Sequence, residues 1–135
     1  MTNEEIKSIV ESVQFDRNPE SLAPAIVQDA ETKDVLMVGF MNPAALTNTL
    51  ESGNVTFWSR SRKKFWIKGE TSGNFLKFVA LRVNCNEDSL LVLAKPIGPT
   101  CHTGHPTCYF READGANWKQ ISEPLFDPNE VYKTS

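Results

Sequence analysis

The chain's three cysteines and two histidines fall late in the sequence, as Cys85, Cys101, His102, His105 and Cys108. Thiolate sulfur is a soft ligand suited to zinc. The Gly/Pro-bearing stretch 98–108 can fold Cys101 and Cys108, seven positions apart, around one ion. Cys85 lies sixteen positions before Cys101, where the pattern predicts the end of a strand. Structural zinc sites commonly use two close-spaced cysteine pairs, and the chain has no Cys-x-x-Cys. Three protein ligands with one position open form the donor set of a catalytic zinc. Two other readings stand on the same residues. His105 or His102 could close a Cys₃His site that only braces the fold, or the cysteines could be small buried hydrophobes without metal. An odd cysteine count argues against a disulfide scaffold. A bare thiol nucleophile, Cys101 with His102, ranks last, since sequence neighbours rarely set a thiol against an imidazole and Cys85 and Cys108 would then have no role.

Three thiolates on divalent zinc leave one net negative charge. Such a centre acidifies bound water less than three neutral histidines do, for which the water pKa falls to about 7. It needs a base or an electrostatic partner. His102, next to Cys101, is the candidate base, because imidazole titrates at roughly pH 6.5. The alternative for His102 is a structural histidine in a tight loop.

A second cluster runs from Trp58 to Gly73. Five of the 14 basic residues fall between positions 60 and 68, although the whole chain carries a net charge of −3. Arg60, Arg62 and Lys68, interleaved with Ser59, Ser61, Thr71 and Ser72, suit phosphate oxygens. Trp58 and Trp66 offer faces for a flat ring, and Gly69 and Gly73 let backbone approach a ligand. A solvated hairpin tip would have a similar composition.

The scaffold that must position these groups reads as an ordinary globular domain of 135 residues, 40% hydrophobic and 23% charged. The spacing of Ile6, Ile9, Val10 and Val13 predicts a helix over 3–14, capped by Asn3. A polar stretch follows over 16–21. Strands are expected at 25–29 and 35–40, joined as a hairpin. Asn42-Pro43 opens a helix over 44–51, with Gly53 as its stop. Further strands are expected at 55–59, 65–68, 75–85 and 90–94, and also at 109–111 and 118–121. Helices flank runs of strands without alternating with them, so the expected class is α+β, a single domain over 1–135 with a mostly antiparallel sheet. The tail 124–135 shows no strong pattern and is left to dock on the surface or on another subunit. The acidic balance argues against general nucleic-acid binding. No apolar run approaches the roughly 20 residues of a membrane span, and the first residues lack a signal-peptide layout. A cytoplasmic protein without membrane contact is expected.

Taken together, Pro24-Ala25-Ile26-Val27-Gln28-Asp29, the segment Val35 to Asn42, Trp58-Ser59-Arg60-Ser61-Arg62, Lys68-Gly69-Glu70-Thr71-Ser72-Gly73 and Gly98-Pro99-Thr100-Cys101-His102-Thr103-Gly104 resemble the phosphoribosyl-AMP cyclohydrolases of histidine biosynthesis. The likeness spans about residues 15–112. It implies an intertwined homodimer with one zinc per subunit, held between chains by Cys85 of one and Cys101 and Cys108 of the other. His102 matches the family's functional histidine. The implied reaction is water attack on C6 of the purine of 1-(5-phosphoribosyl)-AMP, opening the N1–C6 bond to give the formimino-carboxamide ribonucleotide. The implied substrate-binding residues are Ser59, Arg60, Ser61, Arg62, Trp66, Lys68, Glu70, Thr71, Ser72 and Gly73.

One stretch departs from the family pattern. Relatives usually read Asp-Cys-Asp-x-Asp, whose aspartates bind magnesium, whereas this chain reads Asn84-Cys85-Asn86-Glu87-Asp88. In an extended strand Asn84 and Asn86 would share a face opposite Cys85. Mg²⁺ prefers hard anionic oxygen, so weaker binding is expected, recruited with substrate and using Asp88 and Glu87. The exchange also leaves room for a divergent zinc hydrolase acting on another nucleotide, and a zinc-stapled binding module is the non-enzymatic rival.

Overall fold

The computed structural model describes residues 1–125. Thr2, not Asn3, caps the first helix, α1 (Asn3–Ser12). The Thr2 hydroxyl accepts the Glu5 amide at 3.1 Å, and the Glu5 carboxylate accepts the Thr2 amide at 2.8 Å. This reciprocal capping box satisfies two otherwise orphaned donors. The helix stops short of residue 14 because Val13 turns extended and buries its side chain. Two single 3₁₀ turns, Phe15–Arg17 and Pro19–Ser21, occupy the stretch that reads only as polar. Phe15, at 5% exposure, anchors them.

Strands β1 (Ala23–Asp29) and β2 (Val35–Met41) form the expected antiparallel hairpin. Helix α2 (Pro43–Ser52) starts as its sequence requires: the Asn42 side chain accepts the Ala45 amide at 2.8 Å, and Pro43 occupies the first turn. Next come β3 (Thr56–Ser59) and β4 (Lys64–Ile67), a hairpin of their own, then β5 (Leu76–Val83) and β6 (Leu90–Pro96). A last hairpin, β7 (Arg111–Asp114) with β8 (Asn117–Gln120), lies about two residues off the expected 109–111 and one off 118–121. Part of the tail, residues 126–135, falls outside the described residues.

The main sheet has the order β2-β1-β6-β5. Two of its ladders are antiparallel, as expected for an α+β domain. The central one, β1 with β6, is parallel, with Ala25 opposite Leu90. Central strands covered on both faces carry continuous apolar runs rather than alternation, and Leu91-Val92-Leu93-Ala94 is such a run. The core lies between this sheet, the two helices and the β3–β4 hairpin, with Val27, Met41, Leu46, Phe57, Leu76 and Val92 fully buried. Each such side chain contributes on the order of 1.5–3 kcal/mol. Gly39 gives the Phe57 ring its place: a Cβ there would come within 2.7 Å of Phe57 Cε1.

Strand β5 ends at Val83, so Cys85 belongs to a turn over 84–89 and not to a strand end. The alternation expected for Asn84 and Asn86 is therefore absent. The Asn84 carbonyl oxygen of the side chain instead folds back to accept the Asp88 and Ser89 amides, each at 2.9 Å. Glu87 adopts a left-handed φ of 59° to complete the turn.

Candidate active site

Two loops meet beside β2 and enclose a cavity of about 350 Å³. The first leaves β4 at Lys68, whose amide donates to the Val55 carbonyl at 3.0 Å. The chain then turns so tightly that the Gly73 amide reaches the Gly69 carbonyl at 2.7 Å. Gly69 has φ 95°, and a Cβ there would fall 2.6 Å from the Asn74 carbonyl carbon, so only glycine fits. The second loop carries the cysteines. Its ends are tied where the Thr100 amide donates to the Pro106 carbonyl at 3.2 Å and the Cys101 amide to the His105 carbonyl at 3.1 Å. The Cys108 amide donates to the Leu36 carbonyl at 2.8 Å, and the Thr107 hydroxyl to the Val35 carbonyl at 2.6 Å. The loop thus covers the open edge of β2 and brings the cysteines to the sheet.

Arg62, Trp66, Lys68, Glu70, Thr71 and Ser72 line the cavity, and His102 and Cys108 share its wall. Sequence reasoning named all eight. Met37 and the backbone of Gly69 also line it. Met37 was missed as a site residue because it reads as a core strand position; its neighbour Leu36 holding the cysteine loop is what brings it there. Four named residues stand elsewhere. Arg60 lies over the Phe40 ring, 4.3 Å from its centroid, and with Ser61 and Glu20 it lines a separate recess. The Ser59 hydroxyl accepts the Arg62 amide at 3.2 Å inside the hairpin turn, and Gly73 closes the 69–73 turn without lining the cavity.

Cys101 is buried and accepts a hydrogen bond from the Thr103 hydroxyl at 2.9 Å. Cys108 opens to solvent along the cavity, yet protein surrounds its sulfur closely. That desolvation, then the charge of Cys101 and a hydrogen bond between the two side chains, pushes the Cys108 thiol up to about 11, against an opposing pull from Lys68. Lys68 is 6% exposed, with its ammonium 5.7 Å from the Trp66 ring centroid. Burial draws its pKa below the ordinary lysine range, and the nearby sulfurs of Cys108 and Cys101 oppose that pull. Among the described residues no carboxylate lies within ion-pair distance of it.

Two close sulfurs on a covered loop, with a cation beside them, are a donor set that fits a soft metal. Among the described residues, no three His, Cys, Asp or Glu side chains of one chain gather for a metal, and Cys85 stands apart on its turn. His105 is 4% exposed, stacks on Phe110 with centroids 3.7 Å apart, and pairs its Nδ1 with the Ser122 hydroxyl at 2.9 Å. Its ring is committed to holding the segment after β8 against the cysteine loop, where the Leu125 amide also donates to the Gly104 carbonyl at 2.7 Å.

The model of the phosphoribosyl-AMP cyclohydrolase family matches residues 37–110, which hold both loops and the β2 edge between them. The phosphoribosyl-AMP cyclohydrolase of Desulfatibacillum aliphaticivorans is 50% identical over 113 residues, 83% of this chain and 90% of that protein. The one of Geobacter metallireducens is 48% identical over the same shares. The longer histidine biosynthesis bifunctional protein HisIE of Shigella flexneri is 58% identical over 90 residues, 67% of this chain and 44% of that protein. The chain belongs to the phosphoribosyl-AMP cyclohydrolase family, hydrolases that act on a cyclic amidine bond.

Proposed function

We propose that the chain hydrolyses the N1–C6 bond of 1-(5-phosphoribosyl)-AMP, yielding the formimino-carboxamide ribonucleotide of histidine biosynthesis. The observation that carries this reading is that groups suited to phosphate, to a flat ring and to a metal line one cavity: Arg62, Trp66, Thr71 and Ser72 with His102 and Cys108. Water adds to C6, its oxygen becomes the carboxamide oxygen, and N1 departs from C6 with a proton. The phosphoribosyl group on N1 already makes the ring cationic, so C6 is electron-poor before attack.

Cys101 and Cys108 would hold zinc, with Cys85 of a second copy as the third ligand. Zinc bound there supplies the Lewis acidity that makes water a nucleophile near neutral pH. His102 takes the water's proton and returns one to N1 as the bond breaks. Lys68 places a positive charge against the thiolates, which offsets the excess negative charge of a three-sulfur donor set. Arg62 binds phosphate with a two-pronged donor geometry, while Trp66 offers its face to the base. A homodimer explains both the isolated Cys85 and the exposed Val79 and Val83 on the edge strand β5 leading to it, at 54% and 48% exposure. Magnesium enters this reading only as a companion of the substrate's phosphates. No helix among the described residues is long and apolar enough to cross a membrane, and a cytoplasmic setting fits the proposed biosynthetic role.

The test is turnover of 1-(5-phosphoribosyl)-AMP by the zinc-loaded protein, with metal content and mass in solution measured together. Turnover with one zinc per chain in a dimer supports the reading. A zinc-loaded, folded dimer that leaves this substrate intact at saturating Mg²⁺ would instead act on another nucleotide.

A further inference from the structure

The turn over 84–89 carries Cys85 and the positions at which the family pattern would place magnesium ligands. Its hydrogen bonds are already committed. Because Asn84 Oδ1 accepts two backbone amides, the other end of that side chain must be the NH₂ group. Nδ2 donates to the Asp88 carboxylate at 2.7 Å. The Asn84 backbone carbonyl accepts the Glu87 amide at 3.0 Å, and the Asn84 amide donates to the Ser89 carbonyl at 3.1 Å.

The segment joining α1 to the sheet supplies the remaining donors. The Gln14 amide donates to the Glu87 carbonyl at 2.7 Å, Arg17 Nη1 to the Asn86 carbonyl at 3.2 Å, and Asn18 Nδ2 to the Asp88 carbonyl at 2.8 Å. Backbone carbonyls at 84, 86, 87 and 88 are therefore all taken, and a guanidinium stands against the turn. Mg²⁺ demands near-octahedral oxygen at about 2.0–2.1 Å and gives up its water reluctantly. Entering here it would meet neutral amides at 84 and 86, an Asp88 carboxylate already bonded through Oδ1 to Asn84 Nδ2, and a neighbouring guanidinium. The donor set does not fit it.

We infer that this chain fixes its Cys85 turn with an amide–carboxylate staple, Asn84 to Asp88, and an Arg17 strap, so the turn takes up no Mg²⁺ unless substrate brings it. An aspartate at position 84 would keep both accepting bonds but set a second carboxylate against that of Asp88. Like charges so close are mutually destabilising, and a cation is what relieves them. The inference rests on the proposed function only in taking this turn as the place where the cation would go.

The experiment uses the zinc-loaded protein without substrate, so its outcome is independent of turnover. MgCl₂ is titrated by calorimetry, and thermal unfolding is compared in MgCl₂ and in NaCl of equal ionic strength. The natural chain is expected to show no stoichiometric uptake at millimolar Mg²⁺ and the same Tm in both salts. The double variant Asn84→Asp with Asn86→Asp is expected to melt lower than the natural chain in NaCl and to recover in MgCl₂. Stoichiometric Mg²⁺ uptake by the natural chain would overturn the inference. So would a folded double variant indifferent to Mg²⁺, because the staple would then not occupy a cation's place. If the double variant does not fold, the titration of the natural chain decides alone.

Discussion

Lys68 and Cys108 face the same cavity, and no carboxylate among the described residues is close enough to pair with the lysine. Burial lowers the Lys68 pKa and the sulfurs of Cys108 and Cys101 oppose that pull, so their deprotonation on metal binding would supply the anionic partner a buried ammonium needs. Lys68→Met, which keeps the stem and removes the charge, should weaken zinc binding by about ten- to a hundredfold, the scale of one charge pair at intermediate dielectric. Lys68→Arg should restore much of it. Competition against a chromophoric chelator measures both. A rise in KM with zinc affinity unchanged would mean that Lys68 serves the substrate's phosphate and not the thiolates.

Removing either loop sulfur tests the ligand assignment directly. Cys101→Ala or Cys108→Ala should leave the folded protein without zinc after dialysis. Metal analysis beside an activity assay reads this, and full zinc content with intact turnover contradicts the assignment.

His102 lines the cavity but stands exposed on its loop, so its loss should not disturb the metal. His102→Ala should retain zinc while kcat falls by about 10²–10⁴-fold. Loss of zinc from this variant would give His102 a role in holding the loop or the ion.

The Cys108 thiol, at about 11, is protonated throughout the neutral range. Metal binds the thiolate, so binding must expel that proton, and apparent zinc affinity rises with pH by about tenfold per unit for each thiol deprotonated. The same shift bears on stability without metal. Its folded value lies above the unfolded one of 9.0, so the favourable contribution is complete below pH 9 and disappears as pH climbs towards 11. Chelator competition from pH 6 to 8 and urea unfolding of the metal-free chain from pH 8 to 11 follow the two effects. A flat affinity profile would mean that Cys108 is not a ligand.

Gly39→Ala should lower stability by about 1–3 kcal/mol, the usual range for overpacking a filled core, because its Cβ meets the Phe57 ring. Chemical denaturation gives the value, and an unchanged midpoint would show that the ring can swing aside.

Most residues lining the cavity were legible from type and spacing, while the turns that position them were less so. Arg62, Trp66, Lys68, Thr71 and Ser72 stand out by composition and Glu70 by the family resemblance, and the six share one cavity. Arg60 and Ser61 were placed with them because they are neighbours in sequence, yet the hairpin turn directs them to a different face. Helix α2 followed from Asn42, Pro43 and Gly53, whose effects are local. Two features escaped because their causes lie far off in sequence. The strand expected to reach Cys85 ends at Val83, since Asn84 finds its partners in Asp88 and Ser89 and the turn is held from Gln14, Arg17 and Asn18. Pairing of β1 with β6 is equally invisible locally, because an apolar run does not state which neighbour it will adopt.

That central pairing sets an order of events during synthesis. Ala25 waits for Leu90 before the middle of the sheet can zip, and loops of that span close slowly because their entropy is lost before their contacts form. Both helices and the first hairpins leave the ribosome well ahead of the sulfurs at 101 and 108. If the proposed zinc is bound, a nascent chain would therefore be largely built before it could capture the ion, and metal scarcity would be felt as a late defect of maturation and not as a failure to begin folding.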